Sequence, residues 1–161
     1  ELREGKGYTY GIRSSFQGTS IPGPFQISSG VRTNITFEAA ELVKEILENY
    51  PESFNENDLE ITKSSLIKSN ARRFETLSSK LQMLGDISEY NWSHDYVQQQ
   101  EKIVKEITIN EIKALAEKYL NPNKMYYLIV GDAESQLERL EELGLGEPVL
   151  LNVEEAELME K

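Results

Sequence analysis

The residues best suited to chemistry lie near the start of the sequence, in the segment that reads LREGKGYTYG from Leu2 to Gly11. Arg3 and Tyr10 supply a guanidinium and a phenol where a strand is predicted to begin. Groups held rigidly in this way can donate hydrogen bonds to a peptide carbonyl or to its oxyanion. The residues alone favour a plainer role, in which Arg3 pairs with a neighbouring carboxylate and Tyr10 packs. Both interpretations stay open at this point.

Other catalytic chemistries lack the residues that they need. His94 is the only histidine and cysteine is absent, so thiolate zinc sites are excluded and a catalytic zinc site cannot be built on His94 alone. We interpret His94 as a surface or capping residue. A Ser-His-Asp triad would also depend on His94, and its Gly-x-Ser-x-Gly motif is missing. Gly5-Lys6-Gly7 lacks the remainder of a phosphate-binding loop. We therefore predict no metal or cofactor site in this chain.

Composition narrows the classes of partner. The 28 acidic and 17 basic residues give a net charge of −11, which argues against a nucleic-acid surface and an anionic-membrane surface. Most acids lie on predicted helix faces, where solvation explains them. The longest apolar run, Met125–Val130, is far too short to span a bilayer. The lack of cysteine excludes disulfides but leaves secreted, periplasmic and cytoplasmic locations open.

The first predicted element of the chain is a β-hairpin. Residues alternate in polarity over Tyr8–Phe16 and again over Phe25–Val31, which is the period of a strand. The glycines and prolines of Gly18–Pro24 predict the connecting loop. A helix is predicted after Thr33 and Asn34, with Pro51 ending it.

Further helices follow the first one. Asn55 predicts the start of a long helical stretch that carries Phe74 and breaks at Ser69-Asn70 or at Gly85, and the next helix is predicted from Asp95 to about Lys105. A capping box at Thr108 and Glu111 predicts another helix, which Asn121-Pro122 ends. Met125–Val130 is interpreted as a buried strand, with Tyr126 and Tyr127 packed in the core. A small helix over Ser135–Leu143 then ends at Gly144.

This order of elements indicates an α+β fold. The length fits one domain, which we assign to residues 1–152, and the acidic residues 153–161 are predicted to form a flexible tail. Two hairpin strands and one distant strand make a thin sheet for so many helices, so we expect partner strands upstream of this chain.

The segment from Leu2 to Tyr10 resembles the Leu-Arg-Glu-x-x-Gly-x-x-Tyr signature in the second half of pitrilysin-type, insulinase-like zinc peptidases, a family that includes mitochondrial processing peptidase. The resemblance continues through the hairpin, the capping box at Thr108, and the run Ala116–Pro122 that leads to Ile129-Val130-Gly131-Asp132. It covers nearly the whole chain to about Asn152.

The resemblance implies an antiparallel sheet covered by helices, in a ferredoxin-like, mitochondrial-processing-peptidase-like half-domain. It also implies one strand and two helices upstream of Leu2. In this family two similar halves enclose an extended substrate, and the inverted His-x-x-Glu-His motif that binds zinc lies in the first half. This sequence has no such motif, so zinc is expected in the partner half and the chain alone is expected to be inactive.

The resemblance assigns roles to particular residues. In the second half of such peptidases an Arg and a Tyr contact the substrate near the scissile bond, and these carry over onto Arg3 and Tyr10, with Tyr8 as the rival. The implied function is the substrate-binding, non-zinc half of a bacterial zinc metalloendopeptidase. The implied partners are a peptide substrate and a zinc-bearing half, fused or separate, and an exposed sheet edge would allow a homodimer. The alternatives are a non-catalytic structural or partner subunit of the same fold and a peptide-binding module.

Overall fold

The computed structural model describes residues 2–18, 20–72 and 74–151 and confirms the α+β class. Among these residues one sheet is formed by the strands β1 (Thr9–Gly18) and β2 (Pro22–Val31). The α-helices are α1 (Thr36–Ser53), α2 (Glu56–Arg72), α3 (Leu77–Tyr90), α4 (Tyr96–Glu106), α5 (Ile109–Tyr119) and α6 (Ala133–Leu140). Short 3₁₀ helices lie at Thr33–Ile35, Pro122–Lys124 and Glu141–Leu143. None of the described helices is both long and apolar enough to cross a membrane.

The described residues group into two compact units. The first contains those within Glu1–Gln17, Gly23–Glu48 and Asn121–Lys161, and the second those within Gly18–Pro22 and Asn49–Leu120. The first unit carries most of the hairpin together with α6, and the second carries α2 to α5. The assignment of residues 1–152 to one domain stays a prediction. The predicted acidic tail at 153–161 lies outside the described residues.

The predicted hairpin is confirmed, but its strands are longer than expected. Pro22, Gly23 and Pro24 were predicted to lie in the loop and instead begin β2, so this part of the prediction was wrong. Proline cannot donate a main-chain hydrogen bond and is therefore found in strands that have an unpaired edge. Each strand of a two-stranded sheet has such an edge, and this explains why the prolines are accommodated.

Gly23 lies in β2 at a position with no room for a side chain. An added Cβ would overlap the main-chain oxygen of Gln17 and lie 2.9 Å from its carbonyl carbon. Because backbone atoms cannot move aside cheaply, we expect Gly23→Ala to lower the free energy of unfolding by about 1–3 kcal/mol. Urea unfolding followed by circular dichroism would measure this loss. Gly30→Ala in the same strand is the control, since a Cβ there meets no atom within 4 Å. Equal losses in the two variants would contradict the steric explanation.

The boundaries of α1, α2 and α3 differ from the predictions. The first helix continues through Pro51 and ends at Ser53, since proline there disturbs only the last turn. Ser69-Asn70 lies within α2 and Gly85 within α3, so neither breaks the helical stretch. Phe74 falls between the two helices rather than on a helical stripe.

The break between α2 and α3 is explained by a helix cap. The hydroxyl of Thr76 accepts a hydrogen bond from the main-chain nitrogen of Ser79 at 3.1 Å, which satisfies one of the unpaired donors at a helix start. Gly85 costs only about 1 kcal/mol relative to alanine within a helix. A local hydrogen bond therefore sets the boundary, whereas the glycine is tolerated.

The predicted helix starts at Asn55 and Thr108 are confirmed. Asn55 Oδ1 accepts hydrogen bonds from the main-chain nitrogens of Asn57 and Asp58, and the Asp58 carboxylate accepts one from the Asn55 nitrogen. Thr108 and Glu111 form the complete capping box. These caps were recognisable because each depends only on residues three positions apart.

The prediction of a buried strand at Met125–Val130 was wrong. This segment forms no ladder with any described residue. Tyr126, Leu128 and Val130 are 103%, 77% and 93% exposed, so Tyr126 does not pack in a core, whereas Tyr127 is half-buried. The residues alternate in exposure as they would along a strand, but a strand exists only where a partner supplies the hydrogen bonds.

In the first unit, α1 and α6 pack around Phe37. The Phe37 side chain is buried, and the Arg139 guanidinium lies 4.7 Å from the centre of its ring. Arg139 also donates a 2.9 Å hydrogen bond to Glu38 Oε1. Asp132 caps α6 by accepting a hydrogen bond from the Glu134 nitrogen. One arginine thus links an aromatic ring and a carboxylate of α1 to α6.

The ion pair between Glu38 and Arg139 predicts a pH-dependent contribution to stability. The hydrogen bond from Arg139 holds the pKa of Glu38 below its ordinary value. A carboxylate whose pKa is lower in the folded state than in the unfolded state stabilises the fold at pH values above its unfolded-state pKa. This contribution is lost as the pH falls through the folded-state pKa. We therefore expect Glu38→Gln to be less stable than the wild type near pH 7, with a difference that narrows as the pH falls below about 4. Urea unfolding of both proteins across this range would test it, and a difference independent of pH would contradict it.

Candidate functional site

Arg3 lies in a single helical turn that Gly7 closes. The Gly7 nitrogen donates to the Arg3 carbonyl at 3.1 Å, and the Tyr8 nitrogen donates to the Leu2 carbonyl at 2.8 Å. Gly7 has a φ of +63°, in the left-handed region that glycine adopts without the steric cost of a Cβ. Helices commonly end with this kind of residue. The buried Leu2 side chain anchors the turn, while Arg3 is exposed.

Thr9 fixes the point where this turn becomes β1. Its side chain is buried, and its Oγ1 lies 2.8 Å from the carbonyl oxygens of Gly11 and Gly30. The same oxygen accepts hydrogen bonds from the Gly11 nitrogen at 3.1 Å and from Ser29 Oγ at 2.9 Å. One hydroxyl proton can satisfy only one of the two carbonyls at a time. This network joins the start of β1 to the last residues of β2.

Tyr10 follows Thr9 on the opposite side of the strand and is 99% exposed. Successive side chains of a strand alternate between its faces. Tyr8 lies just before β1 and is half-buried. Within the described part of the chain, no side-chain hydrogen bond or ion pair involves Arg3 or Tyr10. Both donors are therefore available to a ligand, and each is attached to backbone that hydrogen bonds hold in place.

The hydroxyl network of Thr9 and Ser29 was not predicted from the sequence. The period-two pattern places Thr9 on the face opposite Tyr8 and Tyr10, which is the signal that was available. The contact with Ser29 depends on the pairing of the two strands, and strand pairing cannot be read from either strand alone.

The loop between α3 and α4 carries the single histidine. His94 is exposed. Nearby, the Trp92 ring stacks on Tyr90 and on Tyr96, with centroids 5.5 Å and 3.9 Å apart. The three stacked rings join the end of α3 to the start of α4 across this loop. No group of three or more His, Asp or Glu side chains that could hold a metal occurs among residues 2–18, 20–72 and 74–151.

Comparison with known proteins identifies the fold. No protein-family model matches the sequence, and no curated protein matches it. Among solved structures, the chain is similar to the peptidase M16 inactive domain from Pseudomonas fluorescens, with a TM-score of 0.67 and 26% sequence identity. The chain has the fold of an M16 peptidase inactive domain. The match covers 75% of this chain and 29% of the other chain.

The M16 match confirms the resemblance to the non-zinc half of pitrilysin-type peptidases. The α+β architecture, with an antiparallel hairpin and six helices in the described residues, agrees with that fold. The M16 match does not test the roles of Arg3 and Tyr10. Their assignment depends on the sequence signature and on the local geometry of the turn and the strand.

Proposed function

We propose that this chain is the substrate-binding, non-zinc half of an M16-type zinc metalloendopeptidase. One observation carries the proposal: in a chain with the M16 inactive-domain fold, Arg3 and Tyr10 are both exposed and free of side-chain partners among the described residues. An exposed guanidinium within a fixed turn and an exposed phenol on the strand that follows it suit a peptide ligand. Zinc and the general base would come from the other half, either fused to this chain or supplied as a separate subunit.

Arg3 and Tyr10 would act as hydrogen-bond donors to the carbonyl of the scissile bond. Donors of this kind accelerate a reaction when they bind the oxyanion of the transition state more strongly than the carbonyl of the substrate. The metal of the other half would activate the attacking water. In this chain, the buried Leu2 and the hydroxyl network of Thr9 would keep the donors in position before the substrate arrives.

Tyr8 is the alternative phenol for this role. It immediately precedes β1, but its side chain is half-buried whereas Tyr10 is fully exposed. The spacing from Arg3 in the resembled signature also favours Tyr10. We therefore assign the role to Tyr10.

The hairpin also offers a surface to a second protein chain. In the described sheet β1 and β2 each have one unpaired edge. Unpaired strand edges readily accept a further strand, so a second copy of this chain could pair there in a homodimer. No nucleic-acid partner is proposed, because the net charge of −11 would repel a polyanion.

The test of the proposed function is peptide hydrolysis by the intact protein, in which this chain is combined with its zinc-bearing half. Hydrolysis is expected to stop when a chelator removes the metal and to depend on Arg3 and Tyr10. The proposal would be contradicted if hydrolysis continued in the presence of the chelator, or if substitution of Arg3 and of Tyr10 left its rate unchanged.

A further inference from the structure

The end of the hairpin next to Tyr10 is basic, although the chain as a whole is acidic. Residues 1–32 contain four basic and two acidic residues, whereas the whole chain has a net charge of −11. The stretch from Gly5 to Phe37 contains no Asp or Glu at all. The two acidic residues, Glu1 and Glu4, both precede Gly5, so the hairpin itself carries no carboxylate. Glu4 is exposed in the same turn as Arg3 and Lys6, and no ion pair among the described residues joins it to either one.

Three of these basic residues are placed at one end of the hairpin. Arg3 and Lys6 lie in the turn before β1, and Arg32 follows the end of β2 directly. Antiparallel pairing brings the end of β2 beside the start of β1, as the 2.8 Å hydrogen bond from Thr9 to the Gly30 carbonyl shows. The three side chains are exposed, and within the described part of the chain none of them forms an ion pair.

We propose that Lys6 and Arg32 form a subsite that selects an acidic side chain in an extended peptide, beside the peptide group bound by Arg3 and Tyr10. This inference rests on the proposed function and names its substrate class. A carboxylate is the complementary ligand for an ammonium and a guanidinium that form no ion pair among the described residues.

The charge of the remaining chain favours a single carboxylate over a polyanion. Beyond Arg32 the chain has 26 acidic residues against 13 basic ones, so a long anionic polymer would be repelled along most of its length. Charges further away than about 8 Å are largely screened at physiological salt. A peptide with one acidic side chain would therefore experience mainly the basic end of the hairpin.

A pair of matched peptides would test this subsite in the intact peptidase. The peptides would differ only in having Glu or Lys next to the scissile bond. We expect the wild type to prefer the Glu peptide about tenfold in kcat/KM. An exposed ion pair with the Glu peptide contributes little by itself, and repulsion of the Lys peptide adds to the difference between the two peptides. In the double variant Lys6→Gln/Arg32→Gln the preference should fall to about twofold or less, and added salt should reduce it in the wild type.

Lys68→Gln provides the matched control, because Lys68 is an exposed cation on α2. This variant should keep the wild-type preference. Equal cleavage of the two peptides by the wild type would overturn the inference. So would a preference that persists in the double variant or disappears in Lys68→Gln.

Equilibrium binding separates this inference from the proposed function. Fluorescence anisotropy with the labelled Glu and Lys peptides would measure selection without any cleavage. Selective binding of the Glu peptide that depends on Lys6 and Arg32, in a protein that cleaves neither peptide, would support the subsite and refute the peptidase role. Cleavage of both peptides with equal binding would refute the subsite and support the peptidase role.

Discussion

Arg3→Ala is expected to lower kcat for peptide hydrolysis by the intact peptidase about 100-fold, with little change in KM. A donor that acts mainly on the transition state changes kcat, whereas one that binds substrate and transition state equally changes KM. Tyr10→Phe should lower kcat about tenfold or more, since it removes the hydroxyl donor and keeps the ring. Steady-state kinetics on one peptide substrate would measure both effects.

Three controls make this expectation specific. Arg3→Lys keeps the charge but not the planar fork of donors, so it should recover only part of the lost activity. Tyr8→Phe should remain within about twofold of the wild type, in contrast to the loss for Tyr10→Phe. Thermal unfolding should be unchanged, because Arg3 and Tyr10 are exposed. A larger loss for Tyr8→Phe would transfer the role to Tyr8, and an Arg3→Ala variant within twofold of the wild type would remove Arg3 from the mechanism.

Phe37→Ala is expected to lower the free energy of unfolding by about 3–5 kcal/mol, the usual cost of removing a buried phenylalanine ring. The side chain is only 6% exposed, so the variant removes buried apolar volume from α1. The substitution also removes the ring that the Arg139 guanidinium contacts at 4.7 Å. Urea unfolding at neutral pH would measure the change.

Tyr126→Ala is the matched control for Phe37→Ala. It also removes an aromatic ring, but Tyr126 is 103% exposed, so its effect should stay within about 0.5 kcal/mol. If Phe37→Ala is too unstable to purify, Phe37→Leu should show a smaller loss in the same direction. Equal effects of Phe37→Ala and Tyr126→Ala would mean that the ring of Phe37 is not part of a core.

The elements that could be predicted from the sequence are those fixed by local interactions. The caps at Asn55 and Thr108 join residues three positions apart. The hairpin was predictable because polar and apolar residues alternate along two strands that are neighbours in the sequence. The break at Thr76 was missed because many threonines could serve as caps, while Gly85 is a more obvious breaker. Met125–Val130 was misread because its composition is that of a strand, whereas a ladder depends on a distant partner.

The same distinction applies to the candidate site. Arg3 and Tyr10 could be proposed from the sequence because they lie within one short signature. Thr9 and Ser29 meet only through the pairing of β1 with β2, and the chain order separates Lys6 from Arg32 by the whole hairpin. Contacts that depend on the topology of the fold could therefore not be predicted before the pairing of β1 with β2 was known.

Gly7 has a consequence for the genetics of this protein. Its φ of +63° lies where any residue with a Cβ is strained by roughly 1–2 kcal/mol, although no atom lies within 4 Å of where that Cβ would be. Every missense change at the codon for residue 7 introduces a Cβ. Such an allele would strain the backbone at the point where the turn that holds Arg3 leads into the strand that holds Tyr10. Loss-of-function alleles are therefore expected at the codon for Gly7, although glycine has no side chain that could contact a substrate.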